Sequence, residues 1–305
     1  MSSDNASTTN TTMPKAVDTQ APHDTHAPHS VTLRVSACSD RGLVRENNED
    51  RYLALKVERS YTALSTNIDP AHLEFVPHQL RWALAVADGM GGHAGGEVAS
   101  TLALSLALKL SQQGSQWFVD IGEEEAKSLI ERMRSILGTV DRAIAEESHQ
   151  KAALKGMGTT LTVATIAASR LFIFHVGDSR CYLLRGGRLQ RLTRDQTMTQ
   201  MLVDAGVMPP EALHSHHMRH MLTQAMGKGE VVIDAQHLPL EDGDRLMLSS
   251  DGLTDGVSDE QIHDMLSRGD CDAACGELMH AALEAGGRDN ITVIVADVSL
   301  VAADA

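Results

Sequence analysis

The alternation of apolar and polar residues along the chain predicts a series of short β-strands. Residues 31–38 alternate between the two classes, which is typical of a strand with one buried face. The uninterrupted apolar run at 82–87 predicts a strand that is buried. The same reasoning predicts further strands at 52–57, 159–167, 171–176, 181–184, 189–192, 231–238, 244–248 and 291–298.

Helical patterns fall in the middle of the chain and near its end. Residues 97–112 are almost wholly apolar, so we expect a deeply buried helix there. Residues 123–150 repeat apolar side chains every three or four positions, which predicts a helix packed on one side. Shorter helices are predicted at 197–205, 259–267 and 271–285. Because the strands cluster instead of alternating with helices, the sequence predicts an α+β fold of antiparallel sheets covered by helices.

Composition and charge narrow the class of protein. Residues 1–30 contain almost no large apolar side chains, so we expect a disordered tail before a single domain over 31–300. The formal net charge of −15 disfavours nucleic acid and anionic membranes as partners. The four cysteines form no CxxC pair, no secretory signal precedes them, and no apolar run is long enough to span a membrane. We therefore expect a cytoplasmic monomer that does not insert into membranes.

A carboxylate beside glycine ends three of the predicted strands. The strand at 82–87 leads into Asp88 and a turn in which five of the eight residues 89–96 are glycine. Glycine is needed where the backbone adopts positive φ or approaches a ligand closely. The same arrangement recurs at Gly177-Asp178 and Asp251-Gly252. A single Asp-Gly pair is more simply a hairpin turn, but three in the same setting weaken that interpretation.

Further acids flank two other strands and suggest a metal centre. Glu49 and Asp50 precede the strand at 52–57, and Asp289 precedes the last strand. If these strand ends converge, the clustered negative charges need cations to neutralise them. Oxygen ligands without a Cys or His pattern favour Mg²⁺ or Mn²⁺ over Zn²⁺. Such centres most often act on phosphates, where the metals generate a hydroxide nucleophile.

Two alternative nucleotide sites fit the sequence poorly. Residues 89–94 formally match the GxGxxA dinucleotide fingerprint. However, no acid lies about 20 residues further on to bind a ribose, and no βαβ unit follows. A GxxxxGK[ST] phosphate loop is absent, which disfavours an NTPase.

Six motifs, taken in chain order, resemble those of the metal-dependent Ser/Thr protein phosphatase family (type 2C) in its bacterial form. They are Arg45…Asn48-Glu49-Asp50, the run 88–93, Gly158-Thr159-Thr160, Gly177-Asp178-Ser179-Arg180, Ser250-Asp251-Gly252-Leu253 and Arg288-Asp289-Asn290. The resemblance covers residues 31–298 and implies a four-layer α-β-β-α sandwich. It also implies that a metal-bridging hydroxide attacks phosphoserine or phosphothreonine in line.

The resemblance assigns an expected role to each candidate residue. Two ions, and a third as in bacterial relatives, would be held by Glu49, Asp88, the Gly89 carbonyl, Asp178, Asp251 and Asp289. Asp50 would hydrogen-bond bound water, and Arg45 would bind the substrate phosphate through its guanidinium group. His93 is a candidate general acid; a structural or water-ordering role is the alternative.

The resemblance also implies partners and a mobile element. Residues 197–227 correspond to the flap beside the cleft, where four histidines could add metal binding or simply lie in solvent. The implied partners are phosphorylated proteins and a cognate Ser/Thr protein kinase. Two other functions stay open: a module that binds phosphoproteins without turnover, and a phosphatase of small molecules.

Overall fold

The computed structural model of the protein describes residues 29–60, 79–91, 95–113 and 121–302. The strands in these ranges are β1 (His29–Asp40), β2 (Arg51–Arg59), β3 (Gln79–Ala87), β4 (Gly89–Met90), β5 (Gly158–Thr159), β6 (Leu161–Ala167), β7 (Arg170–Val176), β8 (Arg180–Arg185), β9 (Arg188–Arg191), β10 (Asp234–Pro239), β11 (Arg245–Ser249) and β12 (Ile291–Ala302). The helices are α1 (Gly95–Gln112), α2 (Glu123–Gln150), α3 (Met198–Asp204), α4 (Ala212–Ser215), α5 (Asp251–Thr254), α6 (Asp259–Leu266) and α7 (Cys271–Glu284).

Two antiparallel sheets form the centre of the molecule. The first has the strand order β1-β12-β11-β8-β9 and the second β10-β7-β6-β3-β2. Ile173 and Leu248 belong to the apolar core between the sheets. The alternation of side chains along β7 turns Phe174 to the opposite face, where it joins Ile144 of α2 in a second core. Leu278 of α7 belongs to a third core against the first sheet. These layers confirm the predicted α+β, four-layer α-β-β-α sandwich.

Helix α2 has the predicted bounds, whereas α1 differs from its prediction in burial. Only the first half of α1 is deeply buried, because Gly95, Ala99 and Ala103 let it approach β4 and β5 closely. The later turns carry leucines that are half-buried and Lys109, which is exposed. The expectation of a helix buried along its whole length was therefore wrong.

Pairing between strands moves several predicted boundaries. Strand β1 begins at His29, inside the predicted tail, because it pairs with β12 as far as Ala302. The tail's residues 1–28 lie outside the described residues. The strand predicted at 159–167 is split at Thr160, since Gly158 and Thr159 pair with β4 instead of the second sheet. Helices α4 and α5 were not predicted, because four residues are too few to show a helical period.

A helix that spans a membrane needs about 20 consecutive, predominantly apolar residues. Within the four described ranges, no helix is both long enough and apolar enough to cross a bilayer.

Candidate metal centre

Strand ends bring most of the predicted residues to one cleft. Arg51 pairs with Ala87, so the start of β2 and the end of β3 place Asp50 and Asp88 side by side. In the other sheet, β11 ends where β12 begins, next to Asp251. The resulting cleft has a volume of about 1040 Å³, and its lining includes Arg45, Glu49, Asp88, Gly89, Asp178, Asp251 and Asp289.

The N-terminal loop of the cleft is fixed by Asn290, just before β12. Its side-chain amide donates to the carbonyl oxygens of Arg41 at 3.0 Å and Asn47 at 2.8 Å. Its side-chain oxygen accepts the backbone N–H of Glu49 at 2.7 Å. Asn290 is 5% exposed, so these bonds are shielded from water. One buried amide therefore sets the position of Glu49 relative to Asp289.

Close backbone contacts explain two of the glycines that follow Asp88. A Cβ atom on Gly89 would lie 2.1 Å from the Gly96 carbonyl oxygen. A Cβ atom on Gly96 would lie 2.4 Å from a carboxylate oxygen of Glu49. Any side chain at either position would displace Glu49 or the beginning of α1.

Asp50 lies behind the cleft wall and is not part of the cleft lining. It is 2% exposed, and the Ser250 hydroxyl donates to one of its oxygens at 2.7 Å. Its other oxygen is buried without a hydrogen-bond partner among the described residues. Burial, with the nearby negative charges of Asp251 and Asp289, raises the pKa of Asp50 to about 7, although hydroxyls oppose the shift.

Burial, together with the crowding of acids, raises the pKa of other carboxyls in the cleft. Burial raises the pKa of Asp88 well above its ordinary value, and Asp50 and Asp251 add to the shift. Burial and Asp251 likewise raise the pKa of Asp178, which is 7% exposed. Burial also raises the pKa of Glu49, against the opposing effect of Arg45. The cleft thus holds more negative charge than its own cations neutralise.

Arg45 contacts a predicted metal ligand in this structure. Its guanidinium group donates to Asp289 at 2.5 Å, and just over half of the Arg45 side chain is exposed. This hydrogen bond raises the pKa of Arg45 further above its already high value. The guanidinium group therefore lies at the cleft mouth with a carboxylate as its present partner.

The predicted flap adds a histidine to the cleft, beside an acid that directly follows α5. His220 lies 3.6 Å from Asp251 and 3.5 Å from Asp255, measured between a ring nitrogen and a carboxylate oxygen. The contact with Asp251 raises the pKa of His220. Arg219 donates to Asp255 at 2.9 Å. In the described part of the chain, the three residues whose possible ligand atoms all lie within 4.8 Å of one another are His220, Asp251 and Asp255.

Sequence reasoning missed Asp255, Ser250 and Asn290. Asp255 follows Asp251 by four residues and is itself followed by glycine, so the Asp-Gly pattern could have identified it. The roles of Ser250 and Asn290 depend on contacts between residues about 200 and 240 positions apart, which no local pattern reveals. His93 lies outside the described residues, so its position in the cleft stays a prediction.

The donor set fits hard divalent cations. Asp50 and Asp251 each have a buried oxygen without a hydrogen-bond partner in the described structure. A buried carboxylate oxygen without a partner is costly, and a cation removes that cost together with the repulsion between the acids. Carboxylates with at most one imidazole suit Mg²⁺ or Mn²⁺, whereas zinc sites are built mainly from Cys and His.

Comparisons with known proteins agree with this geometry. A family model for protein phosphatase 2C matches residues 66–286. The chain is 39% identical to serine/threonine protein phosphatase PstP of Mycobacterium tuberculosis over 88% of this chain, and 33% identical to protein phosphatase PhpP of Streptococcus pneumoniae over 86% of it. It covers 46% of PstP, less than half of that protein's length, and 96% of PhpP. A crystal structure of the PstP catalytic domain, in complex with two manganese ions, superposes with a TM-score of 0.69 at 37% identity, covering 88% of this chain and 100% of that one.

Proposed function

Because the chain belongs to the protein phosphatase 2C family, we propose that it is a metal-dependent phosphatase that hydrolyses phosphoserine and phosphothreonine in proteins. The observation that carries the proposal is the cleft, whose lining includes seven acidic side chains and three arginines, Arg45 among them. A site for phosphate hydrolysis needs metal ligands, a group that binds the phosphate and access for a bulky substrate. The acidic side chains, Arg45 and the volume of the cleft support these three roles.

We propose that Glu49, Asp88, the Gly89 carbonyl, Asp251 and Asp289 hold two Mn²⁺ or Mg²⁺ ions, and that Asp178 and Asp251 hold a third. The related PstP domain with two manganese ions supports the choice of metal. When bound, such ions lower the pKa of water and neutralise charge on phosphoryl oxygens. Asp50, held by Ser250, is suited to accept a hydrogen bond from water at the edge of the site.

Arg45 supplies the contact with the substrate phosphate in this proposal. Its planar guanidinium group stays charged at any working pH and can donate two parallel hydrogen bonds to a phosphate. Asp289 is its partner in this structure. Substrate binding would then exchange one anionic partner for another, and the exchange would leave Asp289 free to act as a ligand.

Proton delivery to the leaving serine or threonine oxygen is assigned to His93. An imidazole with an ordinary pKa is partly protonated near neutrality and can therefore donate a proton there. The alternative, a His that only orders water, predicts that removal of the imidazole leaves the pH profile of turnover unchanged. That measurement on His93→Ala distinguishes the two roles.

The expected substrates are proteins phosphorylated by a cognate Ser/Thr kinase, and we propose that the protein acts as a monomer in the cytoplasm. The names of its relatives support phosphoprotein substrates. The four free cysteines are compatible with a reducing compartment. The volume of the cleft suits a side chain presented on an extended peptide.

The decisive experiment measures phosphate release from a phosphothreonine peptide with Mn²⁺, and with chelator in its place. We expect release that depends on Mn²⁺ and disappears in Asp251→Asn. Binding of the phosphopeptide without release would instead identify a module that recognises phosphoproteins. Faster turnover of sugar phosphates than of phosphopeptides would identify a small-molecule phosphatase.

A further inference from the structure

Two cysteines outside the lining of the cleft meet between the first sheet and its covering helix. Cys38 lies near the end of β1 and Cys275 in the second turn of α7. Their Sγ atoms are 2.9 Å apart, and either thiol can donate the hydrogen bond. The residues are separated by 237 positions in the sequence, so the fold alone brings these sulfurs together.

The surroundings hold both sulfurs in place. In the β1–β12 ladder, Cys38 is opposite Val293. The Cys275 thiol donates to the Val293 carbonyl oxygen at 3.7 Å, and the Cys38 thiol to the Cys275 carbonyl oxygen at 3.6 Å. The backbone of Cys38 and the side chain of Cys275 therefore meet at the same residue of β12, Val293. Little movement is needed to bring them to the distance of about 2.05 Å found in disulfides.

Solvent can reach one member of the pair. Strand β1 is at the edge of its sheet, and Cys38 is only partly buried. Cys275 is 2% exposed and lies behind it. The other two cysteines, Cys181 and Cys271, are completely buried. A small oxidant therefore meets Cys38 first, with Cys275 next to it as the second thiol.

We propose that Cys38 and Cys275 form a reversible disulfide when the protein meets a hydroperoxide. The Cys38 sulfur attacks the peroxide, so an S–O bond forms, the O–O bond breaks, and the leaving oxygen takes the thiol proton as an alcohol or water. The Cys275 sulfur then attacks the Cys38 sulfur, an S–S bond forms, and hydroxide leaves with the Cys275 proton as water. Two thiols are oxidised and one hydroperoxide is reduced.

The bond would connect the two elements that lead into the proposed metal centre. Strand β1 continues directly into the loop of residues 41–50, which carries Arg45 and Glu49. Helix α7 continues into residues 286–290, which carry Asp289. A covalent link between β1 and α7 restrains the loop of residues 41–50 close to its base, whereas Cys275 lies at the opposite end of α7 from residues 286–290. This inference concerns thiol chemistry and stability, so it does not depend on the proposed phosphatase activity.

The test oxidises the full chain with hydrogen peroxide in the presence of Mg²⁺ and then blocks the remaining thiols by alkylation. Before alkylation, we expect the mass of the oxidised chain to be lower by two hydrogens than that of the untreated chain. After alkylation and digestion, the peptides that contain Cys38 and Cys275 should be found linked. The melting temperature should rise by about 5 °C or more, because the disulfide closes a long loop. Dithiothreitol should reverse both changes, and hydrogen exchange in residues 41–50 should be slower in the oxidised form.

Three variants complete the experiment. Cys38→Ser removes the accessible thiol and should abolish the link and the rise in melting temperature, as should Cys275→Ala. Cys271→Ala, in the first turn of the same helix, is the matched control and should keep both effects. The proposal is overturned if oxidised wild-type protein contains no Cys38–Cys275 link, whether Cys38 remains a thiol, becomes a sulfinic acid or pairs with another cysteine.

Discussion

The two ends of strand β11 carry carboxylates in opposite environments. Before the strand, Asp244 is almost fully buried, and Arg185 donates to its two oxygens at 2.7 and 2.6 Å. The backbone N–H of Glu241 donates a further bond at 2.8 Å. After the strand, Asp251 has one buried oxygen without a hydrogen-bond partner among the described residues, and it faces Asp178 and Asp255 as well as His220.

Asp244 and Asp251 therefore illustrate two different reasons for placing a charged side chain inside a protein. A carboxylate that is buried with its own arginine is satisfied within the chain and contributes to folding. A carboxylate that is buried among other carboxylates raises the free energy of the folded state until a cation binds. The same residue type, at two ends of one strand, therefore serves stability at one end and ligand binding at the other.

The largest expected effect is that of Asp251→Asn on catalysis. Loss of one charged ligand should lower phosphate release about a thousandfold, equivalent to about 4 kcal/mol of transition-state stabilisation. Because the change also removes a repelling charge, the metal-free protein should melt at the same temperature or higher. Near-normal turnover, or a large drop in melting temperature, would contradict the assignment of Asp251 as a ligand.

Asp244→Ala should show the reverse pattern. It removes the carboxylate that accepts two of the Arg185 hydrogen bonds and leaves this partly buried guanidinium group with Glu241 and the Pro239 carbonyl oxygen, so the free energy of unfolding should fall by about 3 kcal/mol. Turnover per folded molecule should stay at the wild-type value, since the substitution is at the other end of β11. Urea denaturation and phosphate release, measured on the same preparation, test both expectations. If the free energy of unfolding of Asp244→Ala equals that of the wild-type protein, Asp244 has no stabilising role and the two ends of β11 do not differ in this way.

The crowded acids should give the metal-free protein an unusual pH dependence. Folding raises the pKa of Asp50 to about 7, and an unfolded Asp titrates at about 3.9. Between these values the folded state binds more protons than the unfolded state, so stability should fall as pH rises from about 4 to about 7. Melting curves in chelator should show this fall, and saturating Mg²⁺ should raise the melting temperature more at pH 7 than at pH 5. If the melting temperature of the metal-free protein rises between about pH 4 and about pH 7, the proposed protonation of Asp50 in the folded state is wrong.

Arg45→Ala should have the smallest effect of the four changes. The Arg45–Asp289 pair is largely exposed, so the melting temperature should hardly change. The Michaelis constant for a phosphopeptide should rise about tenfold, because a charge-assisted contact with the phosphate is lost. Arg45→Lys keeps the charge without the planar guanidinium group, so its Michaelis constant should lie between those of the wild-type protein and Arg45→Ala. An unaltered Michaelis constant in Arg45→Ala would exclude the phosphate contact.

Local patterns predicted antiparallel sheets covered by helices and a group of acids at strand ends, because both depend on short stretches of sequence, whereas the four-layer sandwich was implied by the family resemblance. The apolar run at 171–176 identified β7, and the Asp-Gly pairs identified Asp88, Asp178 and Asp251 as one group. The features that local patterns did not predict depend on contacts between residues that are distant in the sequence. The burial of Asp50 behind Ser250 and the partial exposure of α1 depend on the packing of elements against one another, which periodicity does not report.

The contacts of Asn290 and the β1–β12 pairing have a consequence for biosynthesis. During translation, β1 and the loop that carries Glu49 are made first, whereas Asn290 and β12 are made last. Strand β1 therefore lacks its neighbour until β12 has left the ribosome. The cleft cannot assemble on a partial chain, so the nascent domain completes it in one late step, and chains truncated before residue 290 should lack it.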